Sequence, residues 1–315
     1  MIEKTKSSVY VIINPVSGKK SKKNIPEKVN KEMAEHYDVS IFYTECEGHA
    51  TKIAEEAVKN NVDYVIAVGG DGTVNEVAKG LIDTDVVLGI IPSGSGNGLA
   101  RDLHIPLNRS KAAKILKEGY VRRIDYGIAN DNVFFCTCGV GFDAQVSEKA
   151  LSQEKRGVMM YAKNMVEIFY NFIPETYKIT SQEGSFEGQA FVVTCANASQ
   201  YGNNAYIAPH ADIQDGKMNI SILKPLSAFD VPQTAIRMFS KNLRNSTKLV
   251  ELITSEVLIE REKEGVMHLD GNAIYTGKEI RVKIIKQGLN VLVPSRIPRM
   301  TTEVESFITT ITRWI

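Results

Sequence analysis

The sequence predicts two domains, an α/β domain with a parallel sheet followed by an all-β domain that forms a sheet or a sandwich. In the first part, continuous apolar strands alternate with amphipathic helices, which is typical of a parallel sheet covered on both faces. Near Arg123 this alternation stops, and short strands separated by turn signals follow from Ile124 onward. The length of 315 residues also fits two domains.

Hydrophobic periodicity defines the elements of the first domain, which we expect over residues 1–123. The predicted strands are 8–14, 39–43, 64–68 and 87–91. The predicted helices are 21–37, 50–60, 73–81 and 110–118, the first with Ile25, Val29, Met33 and Ala34 on one face.

The second domain is expected over residues 124–298. Its predicted strands are 132–138, 175–181, 186–197, 218–223, 248–259, 266–269, 279–285 and 290–294. Two helical insertions interrupt them, at 157–172 and 230–241, and a helix over 299–315 could pack back on the first domain.

Composition excludes several classes of protein. The chain has 38 Lys+Arg against 37 Asp+Glu, a balance that argues against a nucleic-acid binder. No stretch approaches the roughly 18 apolar residues of a membrane span, so we expect a cytoplasmic protein with at most peripheral membrane contact. The four cysteines show no zinc spacing and are expected to be reduced, with Cys136 and Cys138 as small buried apolar groups.

The strongest chemical signal is the segment 68–76, VGGDGTVNE, which follows an apolar strand and opens a helix. Its glycines allow main-chain N–H groups to converge on one point, and the helix N-terminus adds partial positive charge, so the geometry suits a phosphate. Asp71 would repel a bare phosphate, which favours a role with Mg²⁺ or as an acid or base. A glycine-rich turn without a ligand is the alternative.

Two further loops support a phosphate site. PSGSGN at 92–97 also follows a buried strand, and NPVSGKK at 14–20 follows the first strand. In a parallel sheet the loops at the carboxyl ends of the strands lie at one edge, where ligands bind. Lys19, Lys20, Lys22 and Lys23 could attract phosphates or an anionic membrane, or form a solvated helix start.

Taken in order, NPVSGKK, the Thr44 to Ala50 segment with Gly48-His49-Ala50, GGDGTVNE, PSGSGN and HLDGN resemble the diacylglycerol kinase catalytic-domain family. That family includes soluble bacterial lipid kinases, sphingosine kinases and ceramide kinases. The resemblance implies a Rossmann-like α/β nucleotide domain, related to those of phosphofructokinases and NAD kinases, and a C-terminal β-sandwich. It also implies transfer of the ATP γ-phosphate to a lipid hydroxyl, with Mg²⁺, in a cleft between the domains.

The resemblance also assigns site residues. It places ATP on Asn14, Ser17, Thr44, Gly70, Gly72, Thr73, Gly94, Ser95 and Asn97. It implies that Asp71 organises Mg²⁺ and the phosphates, and that Asp125 belongs to the acidic network near the metal. It also matches Asp270 and Asn272 to the family's Asp-Gly-Glu turn. Asp212, Asp215 and Lys217 match a structural Mg²⁺ region, although a plain hairpin turn explains Asp215-Gly216 equally well.

Two positions depart from the family pattern. Asn272 stands where the family has Glu, a candidate base for the acceptor hydroxyl, and an amide cannot take a proton. Phosphoryl transfer relies mainly on positioning and charge stabilisation, so the loss could be tolerated, or Asp71 or Asp270 could be the base. Gly98 follows Asn97 where many diacylglycerol kinases have Asp, which weakens diacylglycerol as the specific acceptor.

The acceptor side is less defined. Asp143, in GVGFDA, could contact a lipid head group, and His49 matches the family's helix start, with a structural or nucleotide-side role. The 157–172 helix carries Met159, Met160, Tyr161, Met165, Phe169 and Phe172, which could surround acyl chains or form ordinary core, and Lys155 and Arg156 precede it.

The leading hypothesis is an ATP- and Mg²⁺-dependent lipid kinase acting at a membrane surface, without nucleic acid and with a homodimer as one option. A soluble-metabolite kinase of the wider GGDG superfamily is one alternative. The other alternative is a catalytically impaired nucleotide- or lipid-binding regulator, which the replacement of the family's Glu by Asn272 suggests.

Overall fold

A computed structural model describes residues 6–17, 25–33, 37–151 and 158–295. Among these residues the chain divides into two compact units. One comprises the residues up to Ile124 and the segment that begins at Gln287, and the other is Asp125–Lys286. Expected features at Gly18, Lys19, Lys20, Lys22, Lys23, Ala34, Lys155, Arg156 and 299–315 lie outside the described residues.

The first unit is built on a parallel sheet, as predicted. Its strands are β1 (Ser7–Ile13), β2 (Tyr37–Tyr43), β3 (Tyr64–Gly69) and β4 (Val87–Pro92), in the order β2-β1-β3-β4. Its helices are α1 (Ile25–Met33), α2 (His49–Lys59), α3 (Asp71–Lys79), α4 (Gly98–Asp102) and α5 (Arg109–Glu118). Most side chains of β1, β3 and β4 are fully buried, so these strands read as continuous apolar runs.

The predicted helix face of Ile25, Val29 and Met33 is buried, which confirms the amphipathic pattern. The expected extension of that helix to Tyr37 is wrong, because Tyr37 begins β2 and pairs with Ser7. Helix α4 was missed by periodicity, since it has only five residues.

The second unit contains most of the remaining elements. Its strands are β5 (Tyr120–Ala129), β6 (Asn132–Phe134), β7 (Thr137–Gly141), β8 (Glu175–Thr180), β9 (Ser185–Ala190), β10 (Val192–Ala196), β11 (Met218–Leu223), β12 (Leu249–Thr254), β13 (Glu256–Arg261), β14 (Gly265–Leu269), β15 (Asn272–Thr276) and β16 (Glu279–Val293). Its helices are α6 (Phe142–Leu151), α7 (Val158–Asn171) and α8 (Asp230–Phe239). A single 3₁₀ turn covers Leu243–Asn245.

Two layers of strands form a sandwich in this unit. One is a six-stranded sheet in the order β12-β11-β10-β7-β14-β15, and the other contains β8, β9, β13, β5, β6 and the start of β16. Both contribute to one buried cluster, for example Val140 and Ile220 from the first sheet and Ile179 and Ile259 from the second. A second cluster contains Phe142 and Phe191, and Phe169 of α7, Phe172 just after it and Met238 of α8 pack against it.

Several predicted strands have different bounds. The run 132–138 is interrupted at Phe135 and Cys136, whose N–H groups donate to the Asp270 carboxylate rather than to a neighbouring strand. The two predicted strands 279–285 and 290–294 are one strand, β16, which continues through Gln287 at a φ of 54°. Its end joins the first unit, where Asn290 and Val291 pair in parallel with β4, although we expected 124–298 to be one domain.

The cysteines agree with the sequence. All four are free, Cys136, Cys138 and Cys195 are buried, and Cys46 is exposed. Burial and a hydrogen bond with Cys195 raise the pKa of the Cys138 thiol, so it behaves as an apolar group.

Candidate functional site

The loops that follow the four parallel strands meet at one edge of the sheet in the first unit. Asn14 follows β1, Thr44 follows β2, Gly70 follows β3, and Ser93 follows β4. Two backbone hydrogen bonds align these ends: Thr44 N–H donates to the Ile13 carbonyl at 3.0 Å, and Asn14 N–H to the Val68 carbonyl at 3.1 Å. All three glycine- or asparagine-containing loops of the sequence analysis therefore lie at this carboxyl edge.

The first glycine loop ends at the N-terminus of α3. Gly70 is the N-cap residue in extended conformation, so no side chain caps this helix end. A Cβ added at Gly72 would meet nothing within 4 Å, so the first turn borders open space. An uncapped helix N-terminus next to open space is a suitable place for an anion.

The carboxylate of Asp71 joins the two glycine loops. Its Oδ2 accepts from Asn97 N–H at 2.8 Å, and its Oδ1 accepts from Gly98 N–H at 2.6 Å. Hydrogen bonds from backbone N–H groups to a carboxylate are charge-assisted and stronger than neutral ones. Asp71 therefore fixes the second loop against the start of α3.

Glycines allow the two loops to approach this closely. A Cβ on Gly94 would lie 2.6 Å from the Cα of Gly70, which is a backbone clash that no side-chain rotation relieves. The side chain of Asn97 closes the second loop on itself, because its Oδ1 accepts from Gly94 N–H at 3.0 Å and its Nδ2 donates to the Gly94 carbonyl at 2.8 Å. Asn97 itself is left-handed, at a φ of 52°.

The other predicted nucleotide residues surround this core of the site. Asn14 Oδ1 accepts from Val16 N–H, and Ser17 Oγ donates to the Asn14 carbonyl, so this loop folds as a local turn. Thr73 is buried within α3, and Ser95 is exposed at the tip of the second loop. Ser93 Oγ is buried and has no hydrogen-bond partner among the described residues, which leaves a hydroxyl available to a ligand.

Glu76 has a role that the sequence analysis missed. Its Oε2 accepts from Ala50 N–H at 3.2 Å, and its carbonyl accepts from Thr51 Oγ1 at 2.9 Å. A carboxylate at the N-terminus of α2 stabilises that helix. The motifs GHA and GGDGTVNE are thus linked through space, and the nearby His49 accepts from Glu45 N–H through Nδ1, which is a local structural contact.

In the second unit, Asp270 lies in the two-residue hairpin turn between β14 and β15. Asp270 and Gly271 are left-handed, at φ 50° and 83°, as the turn of such a hairpin requires. The Asp270 carboxylate accepts from the N–H groups of Phe135 (2.8 Å), Cys136 (2.8 Å) and Thr137 (3.0 Å). It therefore clamps the peptide between β6 and β7, while Asn272 is exposed at the start of β15.

Asp125 lies in β5 and is fully buried. Its Oδ2 accepts from Gly216 N–H at 2.6 Å, and its N–H donates to the Ile213 carbonyl at 2.8 Å. The structure thus brings Asp125 to the segment of the predicted structural metal. Its predicted place in an acidic network with Asp71 stays a prediction. Asn197 supports Asp125 from inside, donating to the carbonyls of Asp125 and Phe135.

The predicted metal residues Asp212, Asp215 and Lys217 are all exposed. Asp212 Oδ1 accepts from Gln214 N–H at 3.0 Å, and Asp215 Oδ1 accepts from Lys217 N–H at 2.8 Å, so both aspartates form local turns. Within the described ranges, no group of three or more His, Cys, Asp and Glu side chains could hold a metal ion. A metal bound here by one carboxylate and main-chain carbonyls stays a prediction.

A polar cluster around Asp143 was only partly anticipated. Asp143 Oδ2 lies 2.8 Å from the Tyr201 hydroxyl, 3.0 Å from His268 Nε2 and 3.1 Å from Thr194 Oγ1. His268 is buried, and its Nδ1 has no hydrogen-bond partner in the described part of the chain. His268 lies in β14 between Met267 and Leu269, which belong to the sandwich cluster, so its side chain lies on the opposite face of the sheet. Only the fold reveals Asp143 beside it.

Comparison with known proteins gives these features a family. The family described as "Diacylglycerol kinase catalytic domain" matches residues 8–129, and "YegS C-terminal NAD kinase beta sandwich-like domain" matches residues 136–293. A diacylglycerol kinase of Bacillus subtilis is 30% identical over 269 residues, which cover 83% of this chain and 88% of that protein. The chain belongs to the diacylglycerol kinase family.

Further similar proteins also match over most of this chain and most of their own length. A probable YegS-like lipid kinase of Klebsiella pneumoniae is 29% identical over 86% of this chain and 92% of that protein. Among solved structures, a putative diacylglycerol kinase from Bacillus anthracis has a TM-score of 0.78 at 25% identity, covering 92% of this chain and 97% of that one. This confirms the predicted fold class and the resemblance. No helix in the described ranges is long and apolar enough to cross a membrane.

Proposed function

We propose that this diacylglycerol kinase family member is an ATP- and Mg²⁺-dependent kinase that transfers the γ-phosphate of ATP to the hydroxyl of a diacylglycerol or sphingoid-type lipid. The observation that carries the proposal is the Asp71 carboxylate, held by Asn97 and Gly98 N–H groups next to the uncapped N-terminus of α3. A phosphate chain at that helix end lies beside a rigid carboxylate, as a phosphoryl-transfer site requires.

The residues present fit a magnesium ion. A carboxylate supplies the hard oxygen ligand that Mg²⁺ prefers, and Mg²⁺ commonly uses one or two carboxylates with substrate phosphates, so no larger acidic cluster is needed. When bound, Mg²⁺ neutralises charge on the transferring phosphoryl group. Asp71 would hold it, while the N–H groups of α3, Ser93 Oγ and the second loop orient the phosphates.

The turn that carries Asp270 and Asn272 offers no free base for the acceptor hydroxyl. Asn272 cannot take a proton, and the Asp270 carboxylate is engaged by three backbone N–H groups. We propose that Asp270 is a positioning residue for the turn that carries Asn272, and that catalysis relies on alignment and charge stabilisation. That the lipid binds between the two units, and that the protein forms a homodimer, stay predictions.

The experiment measures transfer of radiolabelled phosphate from ATP with Mg²⁺ to micellar diacylglycerol, monoacylglycerol, ceramide and sphingoid base. Wild type is compared with Asp71→Asn and with Asp85→Asn, a matched change of an exposed loop carboxylate. We expect a labelled lipid with wild type and Asp85→Asn, and a loss of at least about a hundredfold with Asp71→Asn. Full activity of Asp71→Asn would refute the assignment.

A second candidate function follows from Asn272 and the engaged Asp270. If the chain has lost its chemistry, it is a nucleotide- or lipid-binding regulator. Asn272→Glu distinguishes the two, because it restores a carboxylate at an exposed position without disturbing the core. Tight ATP binding with no transfer by either wild type or Asn272→Glu favours the regulator.

A further inference from the structure

Helix α8 carries apolar side chains on two faces. On its inner face Thr234 is buried and Met238 packs against the cluster of Phe142 and Phe191. On its outer face Phe229, the N-cap residue, is 95% exposed, and Ile236, seven positions later, is 55% exposed. Residues seven apart lie on the same side of a helix, so the two exposed side chains form one outward stripe with Pro232 and Gln233 between them.

The turn that presents Phe229 is ordered by its neighbours. Asp230 Oδ2 accepts from Ser227 N–H at 2.8 Å and from Ser227 Oγ at 2.7 Å. These hydrogen bonds lower the pKa of the Asp230 carboxyl, so it is ionised at neutral pH. The exposed ring is therefore held outward by a fixed turn and a helix anchored in the core, and not by a loose loop.

The segment that carries this stripe is rich in positive charge. Residues 224–248 contain Lys224, Arg237, Lys241, Arg244 and Lys248 but one acidic residue, Asp230, a net charge of +4. Arg244 pairs with Glu251 at 3.0 Å, Lys248 lies 3.7 Å from Asp230, and Lys241 lies over the Tyr206 ring. Lys224 and Arg237 have no ion-pair partner among the described residues.

We infer that the outer face of α8 docks on an anionic lipid bilayer, with Phe229 and Ile236 entering the headgroup boundary and the surrounding cations facing lipid phosphates. An interfacial helix has this combination of an apolar stripe and a basic border. The inference rests on the proposed function, because docking on a bilayer brings a lipid kinase to its acceptor. Binding to the bilayer itself does not require catalysis.

The size of the stripe favours a bilayer over a protein. A helix of ten residues is about 15 Å long and about 10 Å wide, so its outer face covers roughly 150 Å². A stable protein interface buries about 800 Å² on each partner. A bilayer needs no such area, because each buried side chain and each cation near the surface contributes separately.

A second helix on the same cluster has a similar outer face. Phe169 and Phe172 of the α7 region pack inward against the Phe142 cluster, while Val166, Tyr170 and Ile173 are exposed. The spacing of four residues puts Val166 and Tyr170 on one side of α7, and Ile173 lies two residues beyond the end of the helix. The apolar outer surface of this part of the second unit is thus not confined to α8.

The experiment measures sedimentation of the full chain with vesicles of phosphatidylcholine alone, and of phosphatidylcholine and phosphatidylglycerol in equal parts, without ATP. Variants are Phe229→Ser/Ile236→Ser and Lys224→Gln/Arg237→Gln, with Ile253→Ser, a side chain 41% exposed on β12, as the apolar control. We expect wild type to bind the anionic vesicles at low salt. The serine pair should lose about tenfold or more in affinity, and the glutamine pair roughly tenfold. Ile253→Ser should bind as wild type.

Unchanged vesicle binding by the serine pair overturns the inference, as does a wild type that ignores phosphatidylglycerol. Concentration-dependent dimerisation that the serine pair abolishes also overturns it, in favour of a second copy of this chain. Each variant is assayed as a kinase on micellar lipid as well. If wild type binds vesicles yet phosphorylates no lipid, the proposed function is refuted and this inference stands. If wild type phosphorylates micellar lipid but does not bind vesicles, this inference is refuted and the proposed function stands.

Discussion

Two aspartates beside glycines look alike in the sequence and differ in the structure. The Asp71 carboxylate accepts from two N–H groups of a neighbouring loop at the sheet edge, where a helix N-terminus faces open space. The Asp270 carboxylate accepts from three consecutive N–H groups inside the sandwich unit. The first position fits the ligand chemistry that we propose and the second holds a turn, a difference that only contacts distant in sequence reveal.

The Asp270 clamp predicts a stability effect. In Asp270→Asn the amide Nδ2 replaces one acceptor oxygen, so at least one of the three backbone N–H groups loses its partner. We expect the free energy of unfolding to fall by about 2–3 kcal/mol, measured by urea denaturation. Asp215→Asn, which changes a carboxylate with one backbone hydrogen bond in an exposed turn, is the control and should cost less than about 1 kcal/mol. Equal losses in the two variants would contradict the clamp.

Substitutions at two glycines of the site distinguish an effect on the stability of the protein from an effect on ATP binding. Gly94→Ala places a Cβ 2.6 Å from the Gly70 Cα and should destabilise the protein by about 1–3 kcal/mol. Gly72→Ala meets no atom within 4 Å and lies in α3, so its stability should be unchanged or higher by about 0.5 kcal/mol. The methyl group nevertheless enters the space proposed for a phosphate, and we expect ATP affinity to fall about tenfold by calorimetry. Wild-type ATP affinity in Gly72→Ala would argue against this position of the phosphates.

At the scale of elements, periodicity predicted the parallel strands well because their side chains are buried on both faces and leave a continuous apolar signal. It failed where a contact with a residue distant in sequence determines where a strand begins or ends. The break after β6 depends on Asp270, more than a hundred positions away, and β16 continues through Gln287-Gly288, which reads as a turn. Helix α6 was not predicted as a helix, and its first residues, Phe142 and Asp143, directly follow β7.

One buried cation holds the open end of the β14–β15 hairpin. The Arg261 guanidinium donates to the carbonyls of Gly265 (2.8 Å), Val266 (3.1 Å), Thr276 (2.7 Å) and Gly277 (3.1 Å), and burial lowers its pKa. Lysine cannot reproduce this planar fork. Arg261→Lys should lower the free energy of unfolding by about 2–3 kcal/mol, with Arg281→Lys, an exposed arginine, near zero. Similar thermal denaturation curves for both variants would contradict the role of the fork.

At the scale of the whole molecule, each unit has its own buried core, and the nucleotide is proposed to bind only the first. A ligand that binds the native state stabilises it by mass action, so ATP with Mg²⁺ at about a hundred times its Kd should add about 2.7 kcal/mol. We expect a rise in melting temperature that chelation by EDTA removes. Asp71→Asn should show no magnesium-dependent increment; an increment equal to that of wild type would place the metal elsewhere.

The order of the motifs was enough to predict the family and both folds, since glycine loops after apolar strands have few structural interpretations. The position of the glycine loops at one sheet edge was also predictable, because each loop follows a parallel strand. The partners of Asp125, Asp143 and Glu76 were not, because each contact joins segments whose approach depends on the complete topology.

The Asn97-Gly98 step has a consequence for the chemical ageing of this protein. Asparagine followed by glycine readily loses ammonia when the glycine nitrogen attacks the side-chain amide through a cyclic imide. Here the Gly98 N–H is held by Asp71, and both ends of the Asn97 amide are bonded to Gly94, so the reacting atoms are kept in hydrogen bonds that oppose ring closure. The contacts that shape the loop therefore also oppose its deamidation during storage.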